Sequence, residues 1–450
     1  MTFLANWSGV SATTFSSSPL GRPREHSCLP RASVNIASAE TRKKYSAHFR
    51  KGSEVKLISL FMVGLGLVTD ACMLARRLDI STLYHQGWCM QLNYIFAEAI
   101  RTAVANWIAE RSLEQCAASL DDPVTLADEL LPRVKEHIEA RGVTLPQLKS
   151  LAWSEPCIHL QAVFSVDVAG EALPETPCAF LPIPDCQATI AARISSVACI
   201  AAIESSVVSY ASENEGHLFV NLVALEGDSA MADKSKGEMR GHTDGVFFPI
   251  RGERDEKYPR FAPSPDFVCL SGLRNPDTTG TTVMPLNEVL LGLSEQEIEE
   301  LCKPQFTLAP QRTFLAGVKQ AMNWPHARPP RIDNRRVLFR RQEGFWIRFS
   351  HSSVVDPIQD GTDSMDVDAK NAASSARDAF MARCRERVRS VVLNPGDILL
   401  VNNRIGLHGR SEVGGEVGGE ARWLLRTYGL ETGDLDAEQR CSGSSYKLYP

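Results

Sequence analysis

The sequence predicts an α+β protein in which a helical first third is followed by a β-rich remainder, and three observations carry that expectation. Between about residues 70 and 150, apolar residues recur at three- and four-residue steps, the period of helices with one buried face. Beyond about residue 150 the texture changes to short apolar runs bounded by Pro, Gly, Asp and Asn, the punctuation of strands. A chain of 450 residues, 44% of them hydrophobic, has enough apolar surface for a large core.

Residues 1–50 stand apart. They are rich in Ser, Pro and Arg, carry only Glu25 and Glu40 as acids, show no sustained period and read as a disordered extension. An organellar transit peptide, another export signal or an extension from a start codon set too early would have the same composition. The run Leu57 to Val68 contains Gly64 and Gly66 and falls well short of the ~20 residues that cross a bilayer, so it reads as a buried helix or strand.

Residues 51–150 read as a mainly helical region packing on the core. Its helices are Ala71 to Leu78, Gln91 to Arg111 (Leu92, Ile95, Phe96, Ile100, Val104 and Ile108 on one side), and a third after Pro123 through Leu126, Leu130, Val134 and Ile138. Residues 151–450 read as a β-rich domain with strands at Leu218 to Leu225, Phe267 to Leu270, Phe345 to Phe349, Ile398 to Val401 and Trp423 to Thr427. Helical patterns interrupt it at Ala191 to Val208, Asn287 to Leu293, Glu295 to Leu301 and Ala373 to Ser390. The stretch 356–373 has almost no large apolar residue and reads as a mobile surface loop. The repeat Glu-Val-Gly-Gly at 412–415 and 416–419 is a flexible loop.

The net charge of -6 leaves no basic excess for neutralising phosphates, which argues against a nucleic-acid partner. Twelve cysteines are scattered, the closest two, Cys178 and Cys186, lying eight positions apart. With no CxxC pair they fit reduced thiols in a cytoplasmic protein rather than a zinc ribbon or a disulfide framework.

A metal that must bind two further ligands at once needs protein donors on one face only, and two imidazoles with one carboxylate supply this. Such sites draw two donors from a His-x-acid pair. His137 with Glu139 sits in a helical stretch, where residues two apart point about 200° apart and cannot share an ion. His242 with Asp244 lies in Gly241-His242-Thr243-Asp244-Gly245, where flanking glycines allow a sharp turn and close approach. His408 follows the turn Asn394-Pro395-Gly396-Asp397, the strand Ile398 to Val401 and the turn Asn402-Asn403, and stands between Leu407 and Gly409. Fourteen residues on, Arg422, Leu424 and Arg426 share one face of a strand by period two. Arginines so placed are either carboxylate clamps or a solvated pair on an edge strand.

These residues resemble the Fe(II)- and 2-oxoglutarate-dependent oxygenases of the taurine dioxygenase and clavaminate synthase type. The matching pieces are His242-Thr243-Asp244, Pro265 to Leu270 with Leu273-Arg274-Asn275, Gly280-Thr281-Thr282-Val283, Pro395 to Leu399, His408-Gly409-Arg410 and Arg422 to Arg426, within residues 215–430. The resemblance implies a double-stranded β-helix (a jelly-roll, cupin-like core) with flanking helices. It implies His242, Asp244 and His408 as iron ligands, Arg422 for the distal carboxylate of 2-oxoglutarate, and Thr281, with Thr282 as close competitor, as a further contact to it. Arg426 matches a position that in relatives acting on free amino acids faces the substrate. The loop from Glu412 to Glu420 departs from the family pattern, the glycine repeat replacing its usual Arg- and Asp-containing sequence while keeping the length.

The implied reaction couples oxidative decarboxylation of 2-oxoglutarate by O2 to hydroxylation of an unactivated C–H bond, with a free amino acid or amino-acid derivative as the favoured substrate. With Asp244 as a ligand, no position is left for chloride, which disfavours halogenation. Sulfonates, carrier-bound aminoacyl groups and larger natural products are the other substrate readings. A zinc hydrolase on the same ligands and a non-catalytic binding module are the readings from other classes. Glu238, Arg240, Phe247 and Phe248 flank the motif as further pocket candidates. Oligomeric state is not legible.

Overall fold

The computed structural model describes residues 80–450, apart from 168, 169, 343, 356–366 and 415. The expectations for residues 1–50, for Leu57 to Val68, for the helix Ala71 to Leu78 and for most of the loop 356–373 lie outside the described residues.

Four helices come first: α1 (Ile80–Ala109), α2 (Leu113–Ser119), α3 (Pro123–Glu139) and α4 (Leu145–Ser154). The α3 helix begins where its sequence says it should. The Asp122 carboxylate accepts from the Thr125 amide, and Pro123, which has no amide hydrogen to leave unsatisfied, opens the first turn. Its Leu126, Leu130, Val134 and Ile138 are buried at four-residue steps, meeting Leu92, Phe96, Ile100 and Val104 of α1 in one cluster.

The chain then continues through β1 (Cys157–Leu160), α5 (Gln187–Ala202), β2 (Ser206–Tyr210), β3 (Val220–Leu222), α6 (Ala230–Lys236), β4 (Met239–His242), β5 (Phe267–Arg274) and β6 (Gly280–Pro285). Next come α7 (Leu286–Leu290), α8 (Glu295–Cys302), β7 (Phe306–Leu308), α9 (Arg312–Ala321), β8 (Ile332–Arg335), β9 (Leu338–Arg341), β10 (Gly344–Ile347) and β11 (Val354–Val355). The last elements are α10 (Val367–Glu386), β12 (Arg389–Val392), β13 (Ile398–Asn402), β14 (Gly406–Arg410), β15 (Trp423–Leu430) and β16 (Lys447–Leu448). The helix expected over Ala191 to Val208 stops at Ala202, and Ser206 to Tyr210 is a strand. Residues 367–373, expected as loop, open α10.

Two sheets position the site. The larger has the order β1-β13-β5-β15-β2-β16, with β3 also pairing to β15, and the smaller has the order β12-β6-β14-β4. Alternation divides the larger sheet cleanly. Phe267, Cys269, Leu273, Ile398, Leu400, Trp423 and Leu425 pack into the helical cluster, with α5 against this face. Val268, Leu270, Leu399, Val401, Leu424 and Tyr428 face the other way. On the helix side Ser271 is satisfied, sharing a 2.8 Å hydrogen bond with Ser196 of α5, whereas the buried Thr427 hydroxyl, in register with Trp423 and Leu425, has no partner.

The α+β class stands, but the closed double-stranded β-helix does not. Among the described residues no sheet closes on itself: the larger ends at β1 and β16, the smaller at β12 and β4, and β7, β8 and β11 form a separate three-stranded sheet. Closure is one way to remove exposed edges and bury a face. Here faces are buried by covering instead, by the helical cluster on the larger sheet and, behind the smaller, by Phe380 and Cys384 of α10 around Met284 and Leu407.

A buried ion network joins the two sheets where β13 turns into β14. Arg404, 1% exposed, donates through Nε to Asp266 at 2.8 Å and through its terminal nitrogens to Ser264 Oγ and the Ser264 carbonyl at 2.7 and 2.6 Å. Asp266 also accepts from Arg251 Nε at 3.0 Å and from the Glu431 amide at 3.1 Å. Asp266→Ala strands a buried guanidinium, and we expect it to lower unfolding stability by ~3–5 kcal/mol in urea denaturation. A loss under 1 kcal/mol would show that this network does not hold the turn.

Candidate metal centre

The pairing of β14 with β4 explains how residues 166 positions apart meet. His408 is the direct cross-strand partner of His242, and Asp244 follows two residues beyond the end of β4. His242 Nε2 lies 3.5 Å from Asp244 Oδ1, and His408 Nε2 lies 3.6 Å from Asp244 Oδ2. The three side chains are 8–12% exposed, and one ligand atom from each lies within 4.8 Å of the others. They are the one group of three or more His, Cys, Asp or Glu side chains able to hold a metal ion among the described residues.

The surroundings prepare these atoms as donors. His242 Nδ1 lies 3.0 Å from the Arg240 carbonyl, a bond that puts the proton on Nδ1 and leaves the Nε2 lone pair facing Asp244. Burial and the charge of His408 lower the His242 pKa, favouring the neutral ring. Burial would raise the Asp244 carboxyl, but the His242 and His408 imidazoles beside it outweigh burial and hold the group well below the usual range.

Two amide side chains clamp the Asp244 backbone. Asn403 accepts from its amide at 2.9 Å and donates to its carbonyl at 3.0 Å. Gln311 accepts from the Gly245 amide at 2.8 Å and donates to the Thr243 carbonyl at 3.1 Å. Gly245 itself has φ +69°, and a Cβ there would press on Ser264, Phe248 and Pro265 at 3.0–3.2 Å, so the turn beyond Asp244 needs glycine.

The three side chains line a cavity between the two sheets. Thr281, Gly409 and Arg410 come to it from the smaller sheet, Leu222, Val268, Leu270 and Arg426 from the larger, and Lys234 and Met239 from the segment carrying α6 and β4. Thr281 pairs with Arg410 across β6 and β14. Thr281 lines the cavity and Thr282 does not. Phe247 and Phe248 do not line it either, since Phe248 stacks on Tyr210 and meets Phe314 and Phe261 in an aromatic cluster. Glu238 and Arg240 are likewise absent from the lining.

Arg422, 5% exposed, also lines the cavity. Burial, with Arg410 beside it, pushes its pKa down to about 9. Its Nε has no hydrogen-bond partner, and neither does Thr281 Oγ1 or His408 Nδ1, though all three atoms are buried. Native interiors leave few such groups, so three around one cavity mark a place shaped for a polar ligand. Arg426 differs. Its terminal nitrogens grip Glu213 at 3.2 and 2.7 Å, and Tyr428 donates to the same carboxylate at 3.1 Å. Burial would lower the Arg426 pKa, but Glu213 raises it above the ordinary value.

Two imidazoles and one carboxylate facing a single point define a mononuclear metal site of the 2-His-1-carboxylate class. No family model matches the chain. Over 239 residues it is 27% identical to L-lysine 3-hydroxylase of Catenulispora acidiphila, covering 52% of this chain and 58% of that protein. Over 241 residues it is 24% identical to L-ornithine/L-arginine 3-hydroxylase of the same organism, covering 51% and 64%. A third match, L-asparagine oxygenase of Streptomyces coelicolor, is 28% identical over 37% of this chain and 44% of that one. The chain thus spans between 44% and 64% of the length of these relatives.

Among solved structures, the non-heme iron oxygenase OrfP with Fe and alpha-ketoglutaric acid superposes with a TM-score of 0.57 at 21% identity, covering 78% of this chain and 96% of that one. Asparagine oxygenase with Fe(II), hydroxyasparagine and succinate gives 0.53 at 20% identity, covering 75% and 96%. These likenesses establish the fold. With the ligand triad and the sequence relatives, the chain is similar to the Fe(II)/2-oxoglutarate-dependent oxygenases of the taurine dioxygenase and clavaminate synthase type.

Sequence reasoning missed Glu213, Asn403 as a clamp, Gln311 and Lys234. The Asn402-Asn403 dipeptide was visible as a turn, but Glu213, Gln311 and Lys234 lie in stretches without motif or period.

Proposed function

We propose that this protein hydroxylates an unactivated C–H bond of a free amino acid or amino-acid derivative, using Fe(II), 2-oxoglutarate and O2 and releasing succinate and CO2. The observation that carries this reading is a buried guanidinium with no acid beside it, Arg422, in the same cavity as His242, Asp244 and His408. A hydrolytic metal site has no need of such a group, whereas a dicarboxylate cosubstrate does.

The donors present fit an iron(II) ion: His242 and His408 offer Nε2 and Asp244 an oxygen, leaving open the side toward the cavity. Bound there, iron supplies the chemistry of O2 activation. The chain's part is to orient and shield. Arg422 receives the distal carboxylate of 2-oxoglutarate, and the Thr281 hydroxyl donates to it. Asn403 and Gln311 keep the Asp244 backbone in place. Val268, Leu270 and Leu222 wall the cavity with apolar surface that keeps water from the reacting centre. Arg426, held by Glu213 and Tyr428, fixes the far wall where an amino acid would rest. The scattered free thiols support a reducing, cytoplasmic setting for this chemistry.

The test is succinate release from 2-oxoglutarate with Fe(II), ascorbate and a panel of free amino acids. A member of the panel should raise succinate well above the uncoupled rate and appear with one added oxygen by mass. Succinate release no faster than from His242→Ala protein would end this reading.

A further inference from the structure

The charges around the cavity do not balance, and the imbalance bears on which amino acid it accepts. Resting on the oxygenase reading above, formal charges of the parts can be set side by side. Iron(II) with Asp244 carries one positive charge, and 2-oxoglutarate with Arg422 one negative charge, so together they cancel. Arg426 and Glu213 cancel as a buried pair with bidentate contacts. Arg410 and Lys234 remain. Arg410 spends its donors on the carbonyls of Gly237 at 2.6 Å, Ser411 at 3.2 Å and Lys234 at 3.3 Å. The Lys234 ammonium lines the cavity and makes no ion pair among the described residues.

Lys234 is held in place. Ser229 caps its helix α6 by accepting from the Ala232 amide at 3.1 Å. Ser235 Oγ donates to the Ala232 carbonyl at 2.6 Å and accepts from the Leu225 amide at 2.8 Å. Arg410, two residues past the metal-site residue His408, grips the end of the helix, and the Val413 amide donates to the Lys236 carbonyl at 2.9 Å. The ammonium is thus carried by a backbone tied to β14.

The acids complete the case. Among the described lining residues the only carboxylate is Asp244, which the metal would occupy. Glu213, behind the wall, is taken by Arg426 and Tyr428. Among the described residues a lysine, ornithine or arginine side chain entering this cavity would find no free acid and would lie near a like charge, an arrangement that costs affinity. From this geometry we infer that Lys234 is a specificity-determining residue that receives an anionic side-chain group, so that the substrate is an acidic amino acid or a derivative with an anionic side chain rather than a basic one.

The experiment uses the full chain, anaerobic, with Fe(II) and 2-oxoglutarate bound, and reads the visible metal-to-cosubstrate absorption as L-glutamate, L-aspartate, L-cysteate, L-lysine and L-arginine are titrated. Glutamate or aspartate should bind and perturb the band at concentrations at least ~10-fold below those needed for lysine or arginine, as a charge-assisted hydrogen bond implies. L-cysteate separates a sulfonate from a carboxylate preference. Lys234→Gln should weaken the acidic ligand by ~10-fold or more, and Lys234→Glu should invert the preference toward lysine and arginine. In both variants the band itself, and its half-saturation in 2-oxoglutarate, should match wild type.

Tighter binding of lysine or arginine to wild type, binding of no panel member, or a fall in 2-oxoglutarate affinity in Lys234→Gln would each overturn the role given to Lys234 and leave the oxygenase reading standing. Absence of the band in wild type would instead overturn the oxygenase reading and this inference with it.

Discussion

His408→Ala should abolish 2-oxoglutarate turnover and weaken Fe(II) binding by more than the ~10- to 100-fold that loss of an outer-sphere partner costs. The expectation follows from the cross-strand pairing of His408 with His242: removing one of the three donors leaves two ligands, and no other His, Cys, Asp or Glu among the described residues stands close enough to replace it. The variant's fold should persist, because β14 is held on both sides, by β6 and β4, through backbone bonds that the substitution does not touch. Metal content after gel filtration and the circular dichroism spectrum together check this. Retention of stoichiometric iron by a folded His408→Ala protein would remove His408 from the site.

Arg422→Ala has the second largest expected effect, and its signature differs. The metal should still bind, because Arg422 touches none of the three donors. The KM for 2-oxoglutarate should rise by about 100-fold, the equivalent of ~3 kcal/mol for a lost charge-assisted pair. Thr281→Val, which removes only one hydroxyl, should raise it less, by roughly 10-fold. Steady-state succinate assays with 2-oxoglutarate as the varied substrate separate the two. An unchanged KM in Arg422→Ala would mean that the buried guanidinium serves the fold alone.

What could be read from the sequence was what has a local signature. The stripe Leu126, Leu130, Val134 and Ile138 after Pro123 located a helix. The face shared by Arg422 and Arg426 was visible from period two, and both line the cavity. The boundary of α5 was not visible. That helix is buried on nearly every side, so it shows no polar face to lose, and the apolar run continues straight into β2. The break is made by Glu204 at φ +56°, a residue type that announces nothing. Sheet closure was beyond reach for a similar reason, since which strands end a sheet depends on partners far away in the chain.

The candidate site divides in the same way. His242, Asp244, His408 and Arg422 were legible because a fixed spacing and a family pattern mark them. Glu213, which occupies Arg426, could not be, because the pairing is made between residues 213 positions apart in a loop without motif. Its consequence is substantive: the guanidinium expected to hold a substrate carboxylate is already engaged by Glu213, whereas Lys234 lines the cavity with no ion pair among the described residues.

The central claim is that one cavity holds both an iron(II) site and a seat for 2-oxoglutarate, and anaerobic absorption spectroscopy tests it most directly. Adding 2-oxoglutarate to the Fe(II)-loaded protein should produce a weak visible band that His242→Ala lacks and that Arg422→Ala shows only at higher 2-oxoglutarate concentration. A protein that binds iron yet gives no band at saturating 2-oxoglutarate would contradict the account.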